Sequence, residues 1–504
     1  MSQETAGPGA DAGLARLADA ILIPPFPGLS APGWVLSALE RGLGGVTLYG
    51  TNISAPEQVR SLTAELRAGA ADDPVIAIDE EGGDVTRVAF SSGSSYPGNA
   101  ALGAVDDVAL TRAVYQAIGR DLAALGVNLN LAPCADVLSF ADSPAVGTRS
   151  FGADTDLVSR HTAAAVAGLQ DAGVAACTKH FPGHGRTGTD THLAIATVEG
   201  GLDDLRRRDL PPFVAAIKAG TTAIMPSHLR VPELTGDLPA TVSGAALTGL
   251  LRGELGFDGV IISDALEMRA TRDMFGIPGA AVLAVAAGTD LLCLGRDGGE
   301  DGYLAVRDAL VAAVRDGTLA GRRLEDAADR VARLRRGLAR DPDGLRVITA
   351  AGGGGIGLAA ARRAVRASGP RPVLTSPVIV EIEPPENIAA GRFGWGLRPW
   401  APSGSVRRVE VRRDGRPPGP GQAAGLLEAA AGRSLVVVVR DAHRDPAVRS
   451  LVGALLTARP DAVLVEMGLP LWQPPEGTSY LVTYGASRAG AQAAAELLGL
   501  VLRG

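Results

Sequence analysis

Apolar positions fall into two alternating rhythms along the chain. Between about residues 18 and 340, short continuous apolar runs occur at Ala20–Pro25, Gly45–Tyr49, Val75–Asp79, Val127–Ala132, Val174–Lys179, Thr222–Pro226, Val260–Asp264 and Asp290–Leu294. Longer stretches with helical spacing, such as Pro56–Ala70 and Asp106–Leu125, separate them. Continuous rather than alternating runs suit strands buried on both faces, as in a parallel sheet flanked by helices. Eight such runs with helical crossovers predict an α/β fold, a (β/α)8 TIM-type barrel. A doubly wound open sheet fits the same periodicity.

A charged amphipathic helix, Arg322–Arg340, closes this region, and Pro342 and Gly344 break the pattern. A second set of strand-like runs follows at Val378–Ile382, Val406–Val411, Leu435–Val439, Ala462–Glu466 and Tyr480–Tyr484, with helix-like segments at Gln422–Ala431 and Pro446–Ala458. The organisation expected is a barrel-like catalytic domain over 1–342, a linker and helix over 343–375, and a smaller α/β sandwich domain over 376–504. The run Gly352–Gly357 matches the G-x-G-x-x-G spacing of dinucleotide-binding turns. In a chain with 66 glycines that spacing arises readily by chance, and a linker or loose helix start accounts for it.

Composition narrows the function classes. Net charge is −7, and no basic patch interleaved with aromatic residues appears, so nucleic acid is not an expected partner. No apolar run reaches the roughly 18 residues of a membrane span, and the first residues lack a secretory pattern, so a cytoplasmic protein without membrane contact is expected. Cys134, Cys177 and Cys293 lie far apart in apolar surroundings and read as buried free thiols. Of 48 basic residues only Lys179 and Lys218 are lysine, so a lysine that persists invites a chemical reason.

Ionisable groups gather directly after several apolar runs: Asp79-Glu80-Glu81, Lys179-His180, Ser227-His228 and Ser263-Asp264. In a barrel of parallel strands that rim carries the active site. The densest stretch, Lys179–His192, holds His180, His184 and His192, with Asp190 two residues before His192. As a metal site it is poor, because its histidines sit on a Pro/Gly-rich loop beside a lysine cation, so no metal or other cofactor is expected. As acid–base machinery it fits better: a carboxylate two residues away can orient an imidazole and raise its basicity.

The run KHFPGHG, followed five residues later by DTH, together with IDEEGG and SDALEM, resembles the glycoside hydrolase family 3 β-N-acetylglucosaminidases over the first 340 residues. The two-domain layout resembles the longer members. The resemblance implies a retaining exo-β-N-acetylglucosaminidase acting on a small carbohydrate, chitooligosaccharides or muropeptides. It makes Asp264 the nucleophile, His192 the general acid/base and Asp190 its partner. Asp79, Arg87, Arg149, Lys179 and His180 would line the sugar subsite. Glu80 and Asp84 depart from the pattern, standing where an uncharged or basic residue is more usual. An imidazole acid/base does not repel anions as a carboxylate would, so a phosphorylase using phosphate as acceptor is the nearest alternative. A β-glucosidase takes its acid/base from the second domain in the family. A non-catalytic sugar-binding protein would keep Lys179, His180 and Arg149 without needing Asp264 and the Asp190–His192 pair.

Overall fold

The computed structural model describes residues 8–139, 143, 145–188, 195–198, 200–295, 298–338, 354–383, 391, 393–410 and 420–501. All eight apolar runs of the first region become strands, at their buried centres: β1 (Leu22–Ile23), β2 (Gly45–Leu48), β3 (Val75–Ile78), β4 (Leu129–Asn130), β5 (Ala175–Phe181), β6 (Ala223–Pro226), β7 (Val260–Ile261) and β8 (Leu292–Cys293). Every residue of β2, β3, β5 and β6 is buried, which is why their sequences do not alternate. β2 to β7 pair in chain order as a six-stranded parallel half-barrel sheet, and β1 pairs with β8 in parallel. Ile262 bridges to Leu291, and the Thr47 amide reaches the Pro24 carbonyl at 3.4 Å.

Helices between the strands start where the sequence marks them. Pro56–Ala68 opens on proline, whose missing N–H is no loss in a first turn. Thr155–Asp171 is capped by Asp154, which accepts the Leu157 amide at 2.7 Å. One core cluster joins Phe181, Ile224 and Ile261 of the sheet to Phe213, Leu247 and Leu250 of the helices, with the Phe181 and Phe213 rings edge to face at 5.4 Å. Asp290, ahead of β8, ties this architecture from within. It accepts Arg323 Nη2 at 2.6 Å, Arg252 Nη2 at 2.5 Å and the Ile261 amide at 2.9 Å.

The chain folds as two compact units that do not follow it in order. The first comprises 1–80, 111–145 and 153–351; the second comprises 81–110, 146–152 and 352–504. Residues 81–110 and 146–152, which the sequence pattern puts in the first domain, therefore cluster with the carboxyl-terminal sheet. The boundary expected at 342 lies outside the described residues.

The sheet of the second unit contains Val378–Glu383, Val406–Glu410, Leu435–Val439, Val463–Glu466 and Ser479–Val482, all parallel, with Arg366–Ser368 antiparallel at one edge. Its strands alternate between two cores, as a period of two requires. Val378, Val380, Val437 and Leu464 pack on one face with Leu451 and Leu455 of helix Pro446–Ala458. Ile379, Val436, Val438 and Val465 pack on the other with Ala491 and Ala494 of helix Arg488–Leu497. The second region is thus a mixed sheet between helices. Helix Gly354–Ala364 takes up the last four residues of the glycine run Gly352–Gly357, whose first two lie outside the described residues.

Candidate functional site

Side chains at the carboxyl ends of the first unit's strands hold one another in place. Lys179 Nζ donates to Asp79 Oδ1 at 2.6 Å, with the lysine side chain 3% exposed and the aspartate 20%. Removing one partner of so buried a pair typically costs about 3–5 kcal/mol, because a buried charge is left uncompensated. The backbone beside Asp79 is fixed by Asn130: its Oδ1 accepts the Glu80 amide at 3.0 Å and its Nδ2 donates to the Glu80 carbonyl at 2.8 Å. Asp264 lies beyond β7, after Ile262 and Ser263; it is half-buried, and its Oδ1 accepts the Ala265 amide at 2.8 Å. Asp79, Lys179 and Asp264 all act electrostatically on the buried Cys177 thiol. Burial and the two carboxylates push that thiol well above the usual range, against the pull of Lys179. The three cysteines are buried and free, as their apolar surroundings suggest.

His180 is organised by a residue the sequence reading missed. Asp136, completely buried, accepts His180 Nδ1 at 2.7 Å and the His184 amide at 2.7 Å, with the His180 amide at 3.3 Å. Burial by itself would raise the Asp136 pKa. The facing His180 and His184 imidazoles and the backbone donors outweigh it and hold the carboxyl well below the ordinary range. The only sequence signal is its place: Asp136 follows the apolar run of β4 as Asp79 follows that of β3. Asp136 Oδ2 also accepts Cys134 Sγ at 3.1 Å. Among the described residues, Cys134, Asp136 and His180 are the group whose ligand atoms lie close enough, within 4.8 Å, to hold a metal ion. An ion there would have to strip the thiol and imidazole protons that now occupy Asp136.

The segment after His180 is pinned at its start. Gly185 passes so close to the Val137 carbonyl that an added Cβ would lie 1.9 Å from its oxygen, and the Gly185 carbonyl accepts the Ser139 amide at 3.0 Å. Arg186 Nη1 donates to the buried Asp209 Oδ2 at 3.2 Å. Burial pushes Asp209 up to about 7 despite that guanidinium. Asp190 and His192 lie outside the described residues. His228, given no role from sequence, is buried with Nε2 donating to the Ala265 carbonyl at 3.0 Å, so it braces the residue after Asp264. His161 pairs through Nδ1 with Thr111 Oγ1 in the core.

Arg87 and Arg149 belong to the second unit. Arg149 is bound bidentately by Glu81, Nε to Oε2 at 2.9 Å and Nη2 to Oε1 at 2.7 Å, a geometry that fixes the guanidinium plane. Arg87 is half-buried.

Carboxylate, ammonium and imidazole groups at the carboxyl ends of parallel strands make the first unit an enzyme of the α/β class. The chain belongs to glycosyl hydrolase family 3: the family's N-terminal domain matches residues 37–334, more than half of the sequence. It is a glycoside hydrolase. The Beta-hexosaminidase A of Pseudoalteromonas piscicida is 36% identical over 270 residues, 49% of this chain and 45% of that protein, so less than half of that relative is spanned. The Beta-hexosaminidase of Hydrogenovibrio crunogenus is 36% identical over 266 residues, 51% of this chain and 73% of the relative. A solved glycoside hydrolase family 3 beta-N-acetylglucosaminidase from Paenibacillus sp. str. FPU-7 is similar over 97% of both chains, with 31% identity and a TM-score of 0.84. No described helix is long and apolar enough to cross a membrane.

Proposed function

We propose that the protein is a retaining, exo-acting β-N-acetylglucosaminidase that removes terminal β-linked N-acetylglucosamine from chitooligosaccharides or muropeptides. The observation that carries the reading is the likeness to the Paenibacillus enzyme along nearly the whole chain. The KHFPGHG and DTH motifs add to it. In the same reading the eight strands form a closed (β/α)8 barrel. The Leu22–Leu292 and Ile23–Cys293 pairs, the Ile262–Leu291 bridge and the Thr47–Pro24 hydrogen bond support closure.

Hydrolysis with retention needs two displacements. An Asp264 oxygen attacks the anomeric carbon while its bond to the leaving oxygen breaks, and protonated His192 gives that oxygen its proton. His192, now neutral, then takes a proton from water as the water oxygen attacks the same carbon and the bond to Asp264 breaks. Asp190 orients the imidazole and stabilises its cationic form. Asp79, Lys179, His180, Arg87 and Arg149 bind the sugar. Lys179 offsets the charge of Asp79 at the site.

The test is a product assay on an aryl N-acetylglucosaminide with and without phosphate. Free N-acetylglucosamine under both conditions is expected. A sugar 1-phosphate formed in phosphate would establish the phosphorylase instead, and no product under either condition would refute both.

A further inference from the structure

The second unit contains a mixed sheet together with two loops, 81–110 and 146–152, that come from far earlier in the chain. Its sheet carries no assigned chemistry, yet one of those loops presents Arg149. Asp84, half-buried, joins the three pieces. Its Oδ2 accepts Thr148 Oγ1 at 2.8 Å, one residue before Arg149, and its Oδ1 accepts the Ala486 amide at 2.6 Å, just beyond strand Ser479–Val482. Next to it, Val85 is buried in the same core cluster as Val436, Val465, Leu481 and Ala486.

The turn carrying Asp84 is itself rigid. Glu81 N donates to the Val85 carbonyl at 2.9 Å, and Gly82 bridges to Val85. The same turn supplies Glu81, the bidentate partner of Arg149. Asn99 Nδ2 donates to the Arg149 carbonyl at 2.7 Å, so backbone and side chain of the arginine are both held. On the other side, Gly147 has φ +47°, and Arg444 Nη2 lies 2.8 Å from where a Cβ at 147 would stand. Arg440, which follows strand Leu435–Val439, stacks on Phe393 and Trp395 and lowers the charge cost of Asp84, whose pKa is nonetheless raised by burial. Each of these contacts lies within the second unit.

We propose that the second unit serves as the mount for Arg149, and that Asp84 is the positioning residue through which its sheet fixes the Thr148–Arg149 turn. The proposal rests on the reading of Arg149 as a sugar contact. It gives the carboxyl-terminal sheet a purpose in ground-state binding rather than in the chemical step, and it gives Asp84 a role: its two acceptor oxygens take the Thr148 hydroxyl and the Ala486 amide, one each.

Thr148 touches no proposed substrate atom, so it tests the mount most cleanly. Thr148→Val should raise KM for an aryl N-acetylglucosaminide about tenfold, with kcat within about threefold, as expected when uniform binding is lost. Thr148→Ser, which keeps the hydroxyl, should restore wild-type KM. Asp84→Ala, which removes both acceptors, should follow Thr148→Val. Arg149→Ala serves as the reference: it should raise KM by more than either, and adding Thr148→Val to it should change KM no further. If Arg149→Ala leaves KM unchanged, the sugar-contact reading falls and the inference with it. If Arg149→Ala raises KM while folded Thr148→Val does not, or if the double variant loses in proportion to both singles, Asp84 does not act through Arg149. If Thr148→Val fails to fold, wild-type KM in Thr148→Ser together with a raised KM in Asp84→Ala carries the proposal, and unchanged KM in Asp84→Ala overturns it.

Discussion

Both units place carboxylates in or beyond parallel strands, and the balance of side-chain and backbone partners differs between Asp79 and Glu466. In the first unit Asp79 is met by the Lys179 side chain, and Asp136 by the His180 imidazole together with the His180 and His184 amides. In the second, Glu466 at the end of its strand accepts the backbone amides of Asp441 (2.8 Å), Ala442 (3.1 Å) and Gly468 (2.7 Å). Glu381 accepts Leu397 N at 2.7 Å and Arg398 N at 3.1 Å on one oxygen and the Arg408 side chain at 3.1 Å on the other. A carboxylate given over to backbone N–H groups shapes the loops around it and has little left for a ligand. One that meets a cationic side chain tunes that partner's charge. An acidic residue at a strand end is therefore a weak sign of chemistry until its partner is known.

The comparison breaks first at Asp264. Asp264→Ala should cut turnover by more than about a thousandfold with the melting temperature unchanged within a few degrees, because no neighbouring group can take over the covalent step. Residual activity of a few per cent would place the nucleophile elsewhere.

His192→Ala should cost about 10²–10⁴-fold on a sugar leaving group and much less on an activated aryl group in the first step. Azide, which needs no general base, should partly rescue the aryl substrate as a β-glycosyl azide. Asp190→Ala should give a milder version of the same pattern. Equal losses for both leaving groups without azide rescue would remove His192 from acid–base chemistry.

Asp136→Asn addresses the first unit through stability. The folded pKa of Asp136 lies below its unfolded value near 3.8, so its contribution is fully present above that value and is lost as pH falls below it. The variant should melt well below wild type at pH 6, by an amount corresponding to about 3 kcal/mol, with the gap closing as the pH drops below about 4. A gap independent of pH would mean that the charge of Asp136 does not matter.

Glu466 has the opposite sign. Burial, reinforced by Asp441 and opposed by the three amides, pushes it up to about 8 from 4.5. The folded state then holds a proton the unfolded state has released, so stability falls as pH rises through this window. The melting temperature of Glu466→Gln relative to wild type should shift in the variant's favour between about pH 4.5 and 8. No relative shift would show that Glu466 is ionised throughout.

What the sequence disclosed follows the same physics. Strands buried on both faces betray themselves by unbroken apolar runs, so β1 to β8 and four parallel strands of the second sheet were readable, whereas Val406–Glu410, largely exposed, was read from its valines. Arg366–Ser368 was not, because its three residues are exposed and carry no apolar signal. The assignment of 81–110 and 146–152 to the second unit was hidden because it depends on Val85 and Asp84 meeting partners hundreds of residues away. Asp79, Lys179, His180 and Asp264 stood out as ionisable residues after apolar runs. Asp136 and His228 act through other residues, and nothing local in the chain marks that.

The covalent glycosyl-enzyme is the claim on which the account turns. His192→Ala mixed with an aryl N-acetylglucosaminide should accumulate it, since removal of the base slows its hydrolysis. Mass spectrometry of the acid-quenched protein should then show one added N-acetylhexosaminyl group, and digestion should place it on Asp264. Release of the aryl group in a burst with no gain in protein mass, or a label on any other residue, would contradict the account.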